Sequence, residues 1–339
     1  MTPLLNIDTD NRVPKYIQVA DSITDAIRRG KLKKGQRIHS INELSDEFFL
    51  SRDTVERAYT MLRNQGVIMS VKGKGYYIRN IDIDVPIKVL LLFNKISNYK
   101  KQIYNAFIKT LGPNATVDLK IHHFNIGILK TLVENHLSDY TYFVIMPHFY
   151  EDFDEAICII RTIPPEQLVI LDKKIPYYDL KCGAVYQDFE NDIVDALEQG
   201  LDLLQKYDRL ILVHSNMLPY PPEISRGFRN FCIQNQYKYN IISEVDARTE
   251  VTKGEAYIVI EETDLANLIK NARSKGLKIG KEVGIVSYNE TPLKEILLDG
   301  ITVLSTDHVK MGETAARLIL DNCKEKVKNP FALIRRKSL

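Results

Sequence analysis

The chain has 339 residues, 45% hydrophobic and 27% charged, which is too long for one small module and suits about two domains with real cores. Its formal charge of +2 conceals an uneven distribution: residues 1–80 hold 14 Lys and Arg against 9 Asp and Glu, and the rest hold 32 against 35. A basic head on a mildly acidic body puts the docking face for a polyanion at the N-terminal end, and no apolar run approaches the roughly 20 residues that cross a bilayer.

In chain order, Pro14 and Lys15 open a helix whose apolar stripe is Ile17, Ala20, Ile23 and Ile27, stopped by Gly30. LKKGQRIHSI then crosses to a second helix, with Ser40 or Asn42 as its cap and Glu43 in its favourable first turn. Ile41, Leu44 and Phe48 recur at helical spacing, and Val55, Tyr59 and Leu62 repeat the pattern after the polar SRDT of Ser51 to Thr54. Two short amphipathic helices joined by a tight turn form a helix-turn-helix, a unit that sets the first turn of its second helix into the DNA major groove. With Ser51 capping that helix, Arg52, Asp53 and Thr54 face outward, toward base edges and flanking phosphates. Beyond Gly66, VIMSV, KGKG and YYIR read as strand, turn and strand, with Lys72 and Lys74 supplying charge at a glycine-rich tip.

The segment HSINELSDEFFLSRDTVERAYTMLRNQGVIMSVKGKGYYI resembles the winged helix-turn-helix of the GntR family of bacterial transcription regulators, over about residues 10–80. The resemblance implies that Arg52 and Thr54 contact operator DNA, with Ser51, Asp53, Lys72, Gly73 and Lys74 beside them. Two departures stand out. His39 and Asn42 occupy positions where many members carry Pro and Arg, and Glu56 followed by Arg57 stands where many carry a further Arg, so Arg57 becomes the candidate for that phosphate contact.

A short linker over 81–86 separates a domain over 1–80 from one over 87–339. In the second, KVLLLF, VDLKIHHF, YFVIMP, LVILD, GAVYQD, RLILVHS, KYNIIS, AYIVIE, VGIVSY and ITVLS are strands, with helices between most of them, such as 98–111, 189–206, 264–275 and 309–323. Continuous apolar runs rather than strict alternation mean strands covered on both faces, hence parallel sheets. The fold class is therefore α/β: a winged helix-turn-helix followed by two doubly wound lobes, with a ligand crevice at the carboxyl ends of the strands.

LVILDKK, AVYQDFENDIVDALEQGLDLL, ISRGFRNF, YIVIEETDLANLIKNARSKGLKIGKEVGIVSYNETPL and ITVLSTDHVKMGETAARLIL, in that order, are similar to the effector domain of LacI-type repressors, a fold shared with periplasmic sugar-binding proteins, over about 86–337. A GntR head on such a body is the arrangement of arabinose-repressor-type regulators. The resemblance places ligand-facing residues at strand ends: Asp172, Asn289, Glu262 with Thr263 or Asp264, and, in the first loop, Asn94, Lys95 and Tyr99. Carboxylates and amides bridge neighbouring sugar hydroxyls, and an aromatic face for the ring is sought among Tyr186, Tyr220, His148, Phe149 and Tyr150. Glu262-Thr263 replaces the Asn-Asp pair of many relatives and Asn289 their Asp; their arginine falls on the PYPPEI loop here, with Glu223 or Arg226 as substitutes.

The implied protein is a homodimer on a two-fold operator, responding to a small effector, a monosaccharide or its derivative. Cys158, Cys182, Cys232 and Cys323 lie far apart without CxxC spacing, and the N-terminus lacks a secretion-signal pattern, so a reducing cytoplasm is expected, without disulfides or zinc. The histidines show no metal-ligand spacing, and no nucleophile elbow, P-loop, HExxH or strand-linked GxGxxG occurs; neither metal nor cofactor is expected. Two other architectures remain open for a GntR head: fusion to an aminotransferase-like enzyme, which needs a Schiff-base lysine, and fusion to a helical, metal-dependent acid sensor, which the β-runs oppose.

Overall fold

The computed structural model describes residues 13–28, 30–79, 87–137, 139–150, 153–175, 180–215, 217 and 220–339, so the expected linker over 81–86 and the first twelve residues lie outside the described residues. Two compact units emerge, one carrying the whole head and the other the bulk of the two-sheet body.

The head is built from α1 (Lys15–Arg28), β1 (Arg37–Ile38), α2 (Ile41–Glu47), α3 (Arg52–Asn64), β2 (Ile68–Val71) and β3 (Gly75–Ile78), with its sheet ordered β1-β3-β2. Its core is the meeting of the expected stripes: Ala20, Ile23 and Ile27 from α1, Leu44 from α2, and Val55, Tyr59 and Leu62 from α3, closed below by Ile38, Ile68 and Ile78. Each buried Ile, Leu or Val among them contributes about 1.5–3 kcal/mol by leaving water. Ser40 closes a capping box with Glu43, and Ser51 caps α3 by accepting from the Thr54 backbone N–H. The two-residue β1 was not anticipated. It pairs antiparallel with β3, which turns the expected hairpin into a three-stranded wing.

The body opens with a lobe of β4 (Ile87–Phe93), α4 (Asn98–Leu111), β5 (Ala115–Ile121), α5 (Ile126–His136), β6 (Tyr142–Ile145), α6 (Phe153–Ile160), β7 (Leu168–Lys173) and β8 (Gly183–Gln187). The second lobe follows as α7 (Phe189–Glu198), α8 (Leu201–Leu204), β9 (Arg209–Val213), α9 (Pro222–Gln234), β10 (Lys238–Ile242), β11 (Glu255–Val259), α10 (Glu262–Ser274), β12 (Val283–Tyr288), α11 (Pro292–Ile296) and β13 (Thr302–Thr306). Then α12 (His308–Leu320) and β14 (Lys326–Lys328) return to the first lobe, and β15 (Phe331–Ile334) ends in the second. The sheets run β14-β8-β7-β6-β4-β5 and β10-β9-β11-β12-β13-β15, with β15 antiparallel to β13. All ten strands read from the apolar runs are present; β14 and β15 were not anticipated.

Burial on both faces explains the continuous apolar runs. Leu210, Leu212, Ala256 and Ile258 pack with Ile193 of α7 and Phe228 of α9, whereas the alternate residues Ile211, Val213, Tyr257 and Val259 pack with Leu265, Leu268 and Ile269 of α10. The inter-helix contacts are close enough to demand glycine. A Cβ on Gly312 of α12 would lie 2.3 Å from Ile103 O of α4, and one on Gly227 of α9 would lie 2.2 Å from Glu190 O of α7.

The chain crosses between lobes at Asp188, at Asp307 and at Asn329. Asn329 is 1% exposed; its Nδ2 donates to Thr306 Oγ1 at 2.7 Å and to Asp307 O at 2.9 Å, and its backbone N–H donates to Tyr186 O at 2.8 Å. Beside it, Lys328 Nζ meets Asp192 Oδ1 at 2.9 Å, while Asp192 Oδ2 accepts from Asp188 N at 2.8 Å. All three crossings are thus knitted into one polar knot.

Gly312→Ala and Gly227→Ala are each expected to destabilise the body by about 1–3 kcal/mol, because backbone cannot yield as a flexible side chain would. Urea denaturation followed by far-UV circular dichroism measures this, and wild-type midpoints for both would refute the close approach.

Candidate functional site

Two surfaces collect chemistry. On the head, Ser51, Arg52 and Asp53 are exposed at the start of α3 and Thr54 is half-buried, its hydroxyl 2.7 Å from Ser51 Oγ. The N-cap leaves the first turn rigid, so Arg52 leaves the helix from a fixed point. Arg57, one turn on, lies over the Tyr16 ring at 4.8 Å, a stacking that anchors its guanidinium on α1. Lys72 and Lys74 are exposed at the wing tip, where Gly73 (φ 75°) and Gly75 (φ 102°) occupy left-handed backbone that only glycine adopts freely. Tyr77 braces that tip by donating its hydroxyl to Lys74 O at 3.3 Å.

In the body, an inner chamber of about 50 Å³ lies among the strand ends of both lobes, and an outer vestibule of about 620 Å³ shares Lys95, Tyr99, Tyr220, Tyr288 and Asn289 with it. Together they fall within the range of small-molecule sites. Asp172 is the penultimate residue of the fourth strand of the first lobe and Asn289 follows the fourth strand of the second; both line the chamber and both hold left-handed backbone, at φ 75° and 63°. Asp and Asn tolerate that conformation better than other side chains. The matched placement turns both polar groups toward one space.

Asp172 is the electrostatic centre. Its Oδ2 accepts from His148 Nε2 at 2.9 Å, and its Oδ1 accepts from Gln187 Nε2. Burial alone would raise its pKa, but those hydrogen bonds and the Lys100 charge outweigh it and hold the carboxyl well below the usual carboxylate range. Burial pushes His148 below the ordinary imidazole value against the pull of Asp172, so a neutral ring donates to an ionised carboxylate. Lys100, buried and bonded to Asn94 Oδ1, is pushed down by burial to about 8. Burial raises the Tyr99 phenol far above its usual value; its ring lies 4.9 Å from that of His308, which burial lowers to about 4. Across the mouth, Lys95 of the first lobe reaches Glu261 at 3.7 Å and the Tyr220 hydroxyl at 3.4 Å, both in the second.

Of the residues singled out in the sequence, Asn94, Lys95, Tyr99, His148, Asp172 and Asn289 line the inner chamber, and Glu262 lines the vestibule. Tyr186, Arg226, Asp264, Glu223, Phe149 and Tyr150 lie off both walls. Tyr186 precedes Gln187 on β8, so strand alternation turns it to the other face, where Lys174 sits over its ring at 5.2 Å. Arg226 forks between Glu190 at 2.9 Å and Glu223 at 3.2 Å on the exposed side of α9. Asp264 is buried and accepts from Val245 N at 2.8 Å, tying the loop after β10 to α10. Among the aromatic candidates, Tyr220 lines both chambers, whereas Phe149 packs tilted against His122 at 4.8 Å and Tyr150 against Phe124 at 5.0 Å. Sequence reasoning missed Lys100, Gln187, Tyr288 and His308 as wall residues. For Gln187 and Tyr288 the signal was present: each is the last residue of its strand.

Among the described residues, no group of His, Cys, Asp and Glu is arranged to hold a metal ion, and no helix is long and apolar enough to cross a membrane.

Comparison with known proteins finds matching architecture at both ends. Residues 15–78 match the gntR family of bacterial regulatory proteins, and residues 205–339 match the periplasmic binding protein-like domain. The HTH-type transcriptional regulator TreR of Bacillus subtilis is 30% identical over 231 residues, spanning 67% of this chain and 87% of that one. The mannosyl-D-glycerate transport/metabolism system repressor MngR of Escherichia coli is 35% identical over 82 residues, which is 24% of this chain and only 34% of that relative's length. A dimeric Lac repressor superposes on 74% of this chain and 98% of its own with a TM-score of 0.61 at 17% identity, a likeness of fold.

The buried imidazoles make stability depend on acid. Burial lowers both His122 and His308 to about 4 in the folded chain, whereas an unfolded imidazole takes its proton at about 6.5. As pH falls below 6.5 the unfolded state therefore gains protons first, and each histidine costs about 1.4 kcal/mol per pH unit until its native value is reached. Urea midpoints measured from pH 7 to pH 4 are expected to fall steadily, and His308→Gln to reduce that slope; a flat profile would contradict the burial.

Proposed function

Because the chain belongs to the GntR family of bacterial regulatory proteins and carries a periplasmic-binding-protein-like body, we propose that it is a transcriptional repressor of a carbohydrate-utilisation operon, switched by a small sugar held between its lobes. The observation that carries this reading is the matched pair Asp172 and Asn289, presented by the two lobes to one chamber. A ligand bonded to both gains its full contact energy only when the lobes are together, so binding shifts the population toward a closed body. In the proposed homodimer, two heads address half-sites related by two-fold symmetry, and lobe closure alters how the pair engages them. No catalytic step is required, and the cell's cytoplasm is the place of action.

Support on the DNA side comes from the rigid first turn of α3 beside a lysine-bearing wing. Arg52→Ala is expected to cost about 1–3 kcal/mol of operator affinity while sparing sugar binding. Lys72→Ala with Lys74→Ala should weaken all duplexes alike and flatten the slope of log K against log salt by about 1–2. Fluorescence anisotropy over a salt series separates the two roles, and an unchanged slope would remove the wing from the phosphates.

The reading as a whole is tested by selecting genomic fragments with the full chain and titrating the best with monosaccharides, pentoses and deoxyhexoses included. A genomic duplex bound in preference to random duplex and released by one sugar is the expected result. Indifference to duplex sequence, with and without sugars, would end it.

A further inference from the structure

Most charged groups around the chamber are already committed within the protein, with Lys101 exposed at the vestibule wall as the exception. Lys100 bonds to Asn94 Oδ1 and lies beside the Asp172 carboxylate. Lys294 donates to Tyr288 O at 2.9 Å and to Asn289 O at 2.7 Å, and Lys95 is engaged by Glu261 and Tyr220. Both Asp172 oxygens accept hydrogen bonds, and burial keeps the His148 and His308 rings below the ordinary imidazole value, so neither carries charge near neutrality. No arginine lines the inner chamber or the vestibule among the described residues, although a planar guanidinium is the usual partner for phosphate or carboxylate. Glu261 and Glu262 on the vestibule wall add negative charge that repels an anion.

Two neutral polar atoms stand apart from this economy. Gln187 Oε1 and Tyr288 Oη are buried, on side chains 6% and 3% exposed, line the inner chamber, and have no hydrogen-bond partner among the described residues. An orphaned buried polar group costs about 1–3 kcal/mol, which a ligand hydroxyl donating to Gln187 and another bonded to Tyr288 would recover. Gln187 ends β8 in the first lobe and Tyr288 ends β12 in the second, so one such ligand joins both.

We propose that the chamber selects a neutral, multiply hydroxylated ligand, an underivatised sugar rather than a sugar phosphate or sugar acid, with Gln187 and Tyr288 as its hydroxyl-binding residues. This rests on the reading of the body as a sugar sensor. If it is wrong, an anion would seat at the first turn of α4, beside Lys100 and the exposed Lys101.

The test is a thermal-shift screen of the full chain against D-glucose, glucose 6-phosphate and D-glucuronate; D-ribose and ribose 5-phosphate; and further neutral pentoses, hexoses and deoxyhexoses, each beside its phosphate or acid. A shift with a neutral sugar and none with its charged derivative is expected. Equal shifts, or a shift with the charged derivative alone, overturn the inference while leaving the sugar-sensor reading standing. No shift with any compound overturns both. With the neutral ligand in hand, Tyr288→Phe removes a hydroxyl that has no internal partner, so the ligand-free melting temperature should hold or rise while affinity drops about three- to tenfold. Unchanged affinity would remove Tyr288 from the contact.

Discussion

The body depends on the polar knot where the chain passes three times between its lobes. Asn329 binds the second crossing through its amide and the end of β8 through its backbone, and the Lys328–Asp192 pair adds the first. Breaking one member leaves buried polar groups without partners, at about 1–3 kcal/mol each, so the crossings hold or fail together. With three passages of backbone fixed there, each lobe keeps its own doubly covered sheet, and Asp172 from one lobe and Asn289 from the other face the same chamber.

Much of this was legible in the sequence because burial on both faces leaves a mark. A strand covered above and below must be apolar at consecutive positions, and the runs KVLLLF and RLILVHS could hardly be anything else. What escaped was what burial does not mark. KVK of β14 is polar at an edge, RI of β1 is two residues long, and FALI of β15 is a four-residue apolar run at a sheet edge, too short to stand out although every second residue is exposed. The chamber was legible to the same degree. The rule that ligands gather at strand ends located Asp172 and Asn289, and strand alternation explains why Tyr186 missed while Gln187 lines the wall. Lys100 was unreadable for a different reason: on a helix its position looks solvent-facing, and only the fold reveals that Asn94 and Asp172 hold its charge inside.

The head shows local rules obeyed nearly everywhere, which makes the exception informative. Both helices of the motif are capped by serine, and Tyr59 ties α3 to the crossing segment by donating to His39 O at 2.7 Å. Between the helices, Phe49 holds φ 52° with 94% of its surface exposed, a left-handed position where glycine would be unstrained. The turn survives because its neighbours over-determine it: Leu50 is buried, and Ser45 Oγ donates to Leu50 O. Strain is therefore stored in the turn that sets the angle of α3.

Charge commitment links the chamber to the switch. A body that closed on itself without ligand would not sense anything, and one that never closed would waste its binding energy on assembly. Lys95 reaching Glu261 and Tyr220 across the mouth is a half-exposed contact, and such ion pairs contribute only about 0–1 kcal/mol. That biases closure without fixing it. The larger share must come from groups whose needs are met only with ligand in place, and Gln187 in one lobe and Tyr288 in the other have that character. To carry a two-state body from 1:99 to 99:1 takes about 5.5 kcal/mol of differential affinity. In the proposed switch, two recovered orphan groups and the bonds to Asp172 and Asn289, at about 1–3 kcal/mol apiece, sum to about 4–12 kcal/mol, a range that brackets that requirement when one ligand engages them together.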